Sequence, residues 1–274
     1  PLLGGYLIPV FGWKAAYLTL AILAWVLLIP LVLLVVKAKP SVMGLYPDGV
    51  LEHKGNLPDP AGSAAGRQFS LKDAVRTPAF WLIAFSFCAG CLSISGTTQS
   101  QAPYLEDINF STAVTSGALG IVGLGSLIGK FGFGWLCDWI KPKYAWSIGL
   151  GFQLASLFIL ISVTVVSPIS LIWVYAVTEG LSNGSWLPCM SMAVSRGFGL
   201  TAYGAIFGLA TLAQGTGVAI GPLIASRMYD ALGNYDLAFI ILFALAAAAL
   251  LAILVMRYPK TTPALTGHRV NYSL

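Results

Sequence analysis

Long apolar runs separated by short polar breaks make up most of this chain. Seven of them, at 14–37, 79–103, 113–136, 144–166, 169–194, 203–228 and 236–257, reach the roughly 20 residues a helix needs to cross a bilayer. Residues 1–10 read as the tail of an eighth. The runs are long and do not alternate apolar with polar, so the pattern predicts helices rather than the strands of a barrel. The expected fold class is therefore an all-α membrane protein, a bundle of about seven transmembrane helices plus the end of another.

The breaks organise the chain. One connection is long: 38–78 is rich in Pro, Gly, Ala and charge, and separates the first full span from the other six. It ends in Ser70-Leu71-Lys72-Asp73, a start resembling a capping box, so a short surface helix is predicted over 71–76. Thr77–Pro78 then caps and opens the next span, with Pro in the tolerated first-turn position. Later connections are short, as between antiparallel neighbours. The segment 258–274 reads as a polar tail. These limits divide the chain into 1–37, 38–78, a six-helix part at 79–257, and the tail.

A repeat underlies the pattern. The opening PLLGGYLIPVFGWKAAY and the later PLIASRMYDALGNYDLAF start at Pro1 and Pro222. Each reaches a glycine at the same interval, Gly12 and Gly233, followed by an aromatic and an Ala–aromatic pair. A repeat of that period in an apolar chain predicts two similar halves. On this reading the chain opens inside a helix, with most of the first half lying upstream.

Composition sharpens the class. Hydrophobic residues make up 57% and charged residues 9%, with a mean hydropathy of +0.83, far from soluble-domain averages. The lipid bilayer is thus a partner by composition alone. The excess of 15 Lys+Arg over 10 Asp+Glu does not point to nucleic acid, because it is distributed by topology. With alternating spans and the 38–78 loop in the cytoplasm, that side holds Lys37, Lys39, Lys54, Arg67, Lys72, Arg76, Lys141, Lys143, Arg196, Arg257, Lys260 and Arg269. The other side holds Lys14 and Arg227. This positive-inside asymmetry predicts a cytoplasmic C-terminus in a plasma (inner) membrane. Cys88 and Cys91 form a C-x-x-C, but Cys137 and Cys189 make no second such pair and no His accompanies them, which favours packing over a metal site. No cofactor, nucleotide-binding loop or catalytic triad signature is expected.

Several segments resemble one family. Gly134-Trp135-Leu136-Cys137-Asp138, followed by Lys141 and Lys143, resembles the G-x-L-x-D-R-x-G-R-K loop signature of the major facilitator superfamily, with Trp139 in place of the usual base. The opening PLLGGYLIPVFGW resembles the end of the fifth helix of such carriers. QAPYLEDINFS is similar to their P-Y-L-x-D-x-G-F-S outer loop, with Asn109 at a position where a left-handed backbone suits Asn. Gly208, Gly217, Gly221 and Pro222 reproduce a G-x8-G-x3-G-P spacing known from one facilitator helix. The resemblance implies a facilitator-type bundle seen from its fifth helix to its twelfth. KPSVMGLYPDG and GKFGFGWLCD are most like the monocarboxylate-transporter and oxalate–formate-antiporter group, which moves small organic anions by proton symport or anion exchange.

Two ionisable side chains fall well inside spans, Lys130 and Glu179. A charge there is costly, so it should face the bundle interior and serve function. Lys130 stands eight residues before Asp138, about 12 Å along a helix. A cation at that depth can bind a substrate carboxylate, although a snorkelling lysine gives the same pattern. In the organic-anion carriers the corresponding G-R-x-x-x-G arginine contacts substrate, and Lys130 with Gly134 keeps the spacing; lysine offers a point charge rather than a fork. Glu179 sits nearer the outer half of its helix and is the candidate for carrying a coupling proton. Gln99, Gln101, Tyr104, Asn183 and Gln214 complete the candidate substrate-binding set. An interhelical hydrogen bond is the commoner role for each. Gln214 stands where oxalate carriers have a lysine, which favours a monocarboxylate or neutral solute.

The motif residues Gly134, Asp138, Lys141 and Lys143 are expected to gate the cytoplasmic side through charge-assisted contacts. Gly217, Gly221 and Pro222 are expected to form a helix hinge for rocking. Together these predict a secondary carrier, not an enzyme, whose partners are a small solute, protons and the other half of the bundle. Two alternatives are a proton-coupled exporter of amphiphiles and a solute sensor of transporter fold.

Overall fold

The computed structural model describes residues 2–35, 69–164 and 167–258. Among these, every regular element is a helix: α1 Leu2–Val35, α2 Leu71–Val75, α3 Pro78–Asp107, α4 Thr112–Trp139, α5 Pro142–Ser162, α6 Ile169–Phe198, α7 Tyr203–Leu232 and α8 Asp236–Val255. The chain divides into two compact units, Pro1–Ala61 and Gly62–Leu274. The division falls inside the predicted 38–78 connection, most of which, like the tail after 258, lies outside the described residues.

The first unit contains α1, and Gly12 interrupts it at φ 77°, ψ 164°. Helix before Gly12 and an apolar span over Gly12–Pro30 after it match the expected end of one helix and start of another. Its echo behaves alike: Gly233 closes α7 in the left-handed region at φ 70°. A side chain is disfavoured at positive φ, so both copies of the repeat place glycine where the chain turns between spans.

In the second unit the local signals read from sequence are realised. Ser70 caps α2, accepting from the Asp73 backbone N–H and donating to its carboxylate at 2.6 Å. Thr77 caps α3 with Pro78 in its first turn. Asn109 adopts φ 66° between α3 and α4. One boundary differs: Pro103-Tyr104-Leu105-Glu106-Asp107, expected in the outer loop, continues α3, and the break begins at Ile108.

Six helices among the described residues are long and apolar enough to span a membrane, and α6 is not one of them, although 169–194 was expected to be. Thr178, Glu179, Ser182, Asn183 and Ser185 lower its mean hydropathy. Glu179, Ser182 and Ser185 are buried and Asn183 bonds α3 and α4, while Thr178 bonds back to its own helix, so a 30-residue helix is retained without an apolar surface all round.

Small residues bring the helices close. A Cβ on Gly125 would lie 3.0 Å from Gly180 Cα, and one on Gly184 would lie 2.7 Å from Gly129 Cα, so α4 and α6 meet backbone to backbone. A Cβ on Gly217 or Gly221 would strike the backbone of α3 at Cys88 or Leu92. The hinge expected at Gly217, Gly221 and Pro222 is therefore, in this conformation, a packing surface, and α7 is continuous through Pro222. Trp146 of α5 stacks on Phe87 of α3 at 4.5 Å and donates to Ser86 Oγ, which donates to the Ala249 carbonyl of α8.

The core has two apolar clusters. One gathers Phe80, Phe87, Trp146, Met190, Phe198 and Ile253; the other gathers Leu105, Leu157, Ile172, Tyr175, Phe239 and Leu242. Along α3, α5 and α6 the residues between them are polar and buried: Thr97 and Gln101, Gln153 and Ser156, Glu179 and Ser182. A polar layer thus crosses the bundle between two apolar ones.

Gly184→Ala should lower stability in detergent by about 1 to 3 kcal/mol, because its methyl would press on backbone. Gly151, whose Cβ would enter open space, is the comparison. Gly151→Ala should be neutral or slightly stabilising, as measured by denaturant unfolding of the full-length protein.

Candidate functional site

Glu179 is fully buried at the centre of the polar layer. Thr98 of α3 donates to its Oε1 at 3.2 Å, and Ser156 of α5 donates to its Oε2 at 2.7 Å. Beside it, Ser182 donates to Gln153 Oε1 at 2.9 Å, and Gln153 Nε2 donates to Thr97 Oγ1 at 3.2 Å. One carboxyl group therefore links three helices through hydroxyls.

The network leads out of the core. Asn183, one turn along α6, donates to Thr98 Oγ1 at 3.4 Å and accepts from Ser126 Oγ of α4 at 3.4 Å. Thr98, Asn183 and Ser126 are all half-buried. Lys130 lies one turn beyond Ser126 on the same face of α4, exposed and without an ion pair among the described residues. A hydrogen-bonded ladder therefore runs from Ser126 through Asn183 and Thr98 to Glu179, and Lys130 stands one turn past its outer end. Its hydroxyl and amide donors point toward the carboxylate.

Ser156 has two acceptors in reach, Glu179 Oε2 and, at 2.9 Å, the Gln153 carbonyl. A carboxylate receives a hydrogen bond from Ser156. A protonated carboxyl must instead donate, and Ser156 can accept that bond while turning its own proton to Gln153. Both charge states of Glu179 can thus be satisfied without moving a helix.

The remaining predicted residues divide. Gln99 is exposed. Gln101 is buried, donating to the Thr98 carbonyl and accepting from Tyr175. Tyr104 donates to the carbonyls of Leu160 and Val163 and packs edge-on to Phe239. Gln214 is buried against Cys91 between α7 and α3. Gln101, Tyr104 and Gln214 are thus buried and tied to neighbouring helices, Gln101 through Tyr175 of α6, Tyr104 through α5 carbonyls and Gln214 through Cys91 of α3. A groove of about 670 Å³ runs along α7 past Phe207, Thr211, Leu212 and Thr216, and holds none of the ladder residues.

At the C-terminal end of α4, Asp138 pairs with Arg196 of α6, Oδ1 to Nη2 at 3.6 Å. The motif was expected to make charge-assisted contacts that gate this side, and the partner that Asp138 has within this half is a base of α6. Lys141 stands at the N-cap position of α5 without a side-chain cap hydrogen bond, and Lys143 donates to the Met256 carbonyl. Gly134 has open space around it.

Thr98, Ser126, Gln153, Ser156 and Arg196 were not singled out from sequence. A glutamine amid the apolar run 144–166 was the visible signal for Gln153. Serines and threonines are too common on packing faces to stand out.

Residues 1–222 match the family model described as Major Facilitator Superfamily. The chain belongs to the major facilitator superfamily. It is accordingly a multi-pass integral membrane protein of a transporter family, with α3–α8 forming a bundle of that type. Comparison with curated proteins finds no match.

The geometry separates buried from exposed interactions. Ser156→Ala should cost about 1 to 3 kcal/mol by leaving a buried carboxyl oxygen without its donor. Asp138→Asn should cost about 0 to 1 kcal/mol, because that pair is 67% exposed at Asp138 and 41% at Arg196. Parallel denaturant titrations in mixed micelles measure the difference.

Proposed function

We propose that this protein is a proton-coupled secondary carrier for a small organic anion, a monocarboxylate being the best fit. The observation that carries the reading is the hydrogen-bonded ladder that leads from the buried carboxyl group of Glu179 to Ser126, one helical turn from the exposed cation Lys130.

The chemistry follows from the two ends. Lys130 supplies a point charge that attracts a carboxylate entering between the two halves of the carrier, with Gln99 and Asn183 offering amides nearby. One cation suits one negative charge, and the neutral Gln214 adds no second. Glu179 takes up and releases a proton away from the solute. Ser126, Asn183 and Thr98 transmit the occupancy of the Lys130 end by shifting their hydrogen bonds, and Ser156 accommodates either charge state. Alternating access then requires the two halves to rock. The glycine seams of α4–α6 and α3–α7 keep this half rigid while it moves. The Asp138–Arg196 pair steadies the ends of α4 and α6 in the conformation described. The monocarboxylate–oxalate group of the superfamily is the subgroup whose known substrates agree with this reading.

The apolar groove along α7 favours a second reading, a proton-coupled exporter of amphiphiles. Export would protect cells from such compounds, and Leu212→Asp in the groove would abolish that protection.

In proteoliposomes of the full-length protein, Lys130→Gln should lower uptake of small monocarboxylates at sub-saturating concentration by roughly tenfold or more, the loss of one charge-assisted contact. Lys130→Arg should recover part of it. Uptake of all tested carboxylates unchanged in Lys130→Gln would overturn the assignment.

A further inference from the structure

The basic end of the bundle contains a second recess with its own chemistry. The start of α5, the end of α6 and the end of α8 enclose a cavity of about 380 Å³ lined by Lys141, Lys143, Tyr144, Arg196, Met256 and Arg257. Four cations converge on it, and among the described residues no Asp or Glu lines it. Arg196 is already engaged by Asp138, leaving Lys141, Lys143 and Arg257 without a carboxylate partner among the described residues.

Lys143 is half-buried and held in place. Its ammonium donates to the Met256 carbonyl at 3.2 Å and lies 4.9 Å over the Tyr144 ring. An ammonium has three donors, so anchoring by one carbonyl leaves two for a ligand. The N-terminus of the 21-residue α5 opens at the same place, and its Lys141 cap makes no side-chain cap hydrogen bond. Its backbone dipole adds to the positive potential.

A separate observation indicates the depth. Trp135, Trp139 and Tyr144, at the end of α4 and start of α5, are largely exposed at the same end of the bundle. Exposed Trp and Tyr at the ends of spans mark the headgroup level of a bilayer. A recess lined by bases at that level meets lipid phosphates before it meets soluble solutes.

We propose that this recess binds the phosphate group of an anionic phospholipid. Lys141, Lys143 and Arg257 contact the phosphate oxygens, and Tyr144 and Met256 border the glycerol. The site is separate from the Ser126–Glu179 ladder and shares no lining residue with it. Bases around a phosphate between helix ends follow the general chemistry of lipid headgroup recognition. A soluble phosphate ion offers the same oxygens, so the test includes it.

The experiment offers the full-length protein equal amounts of phosphatidylglycerol and phosphatidylcholine in detergent and counts bound lipid by native mass spectrometry. The wild type should retain phosphatidylglycerol in excess. Arg257→Gln, a change at an exposed side chain, should lower that excess roughly fivefold, and Lys141→Gln/Lys143→Gln/Arg257→Gln should abolish it. Arg227→Gln, near the far end of α7, should leave it unchanged. Equal retention of the two lipids by the wild type, or an undiminished preference in the Arg257 and triple variants, would overturn the proposal. Inorganic phosphate should not displace phosphatidylglycerol; displacement at millimolar concentration would make the ligand a soluble ion and overturn the lipid assignment.

Discussion

A polar group in hydrocarbon must find its partners within the protein, and the placement of Glu179 dominates how this bundle is arranged. Its two oxygens take hydroxyls from different helices, Thr98 on α3 and Ser156 on α5, while the carboxyl group itself rides on α6. Those bonds fix the relative height of three helices. Gln153, Thr97 and Ser182 complete the layer at the same level. Above and below it, two mainly apolar clusters pack. The glycine seams join other helix pairs, α4 with α6 and α3 with α7, and the close approach of α4 to α6 lets the short Ser126 side chain reach Asn183.

Much of the fold was legible. Apolar runs gave the spans, and Ser70, Thr77 and Asn109 marked caps and a turn through local rules that the structure obeys. The repeat showed itself in the interval from proline to glycine, and the shared positive φ of Gly12 and Gly233 gives that interval a conformational reason. Hydropathy alone was misleading at α6, where the polar content that carries the site also lowers the apolar signal. Pro103 closes the predicted span 79–103, yet α3 runs past it to Asp107, since a helix tolerates proline near its end.

The site was legible only in part, and the division has a physical basis. Charges in apolar runs announce themselves, so Lys130 and Glu179 were identifiable from composition and position. Which neutral residues join them was not, because spacing along one helix does not reveal what faces it from another. Tyr104 and Gln101 share a helix with Thr98, but only Thr98 reaches the carboxyl group; the other two spend their polar atoms on α5 and α6 backbone and side chains or on α3 itself. Arg196 was counted among topological charges and turns out to be the partner of Asp138. Lys130 and Glu179 differ in depth along their helices, and the ladder of Thr98, Asn183 and Ser126 leads from the carboxyl group to within one turn of the lysine.

The central claim is that Glu179 handles the proton while Lys130 handles the solute. Glu179→Gln in proteoliposomes of the full-length protein separates these roles when two rates are measured side by side: solute exchange at equal pH on both sides, and accumulation driven by an imposed pH gradient. The account predicts that exchange persists near the wild-type rate while gradient-driven accumulation falls to simple equilibration. Accumulation at the wild-type level in Glu179→Gln would contradict it.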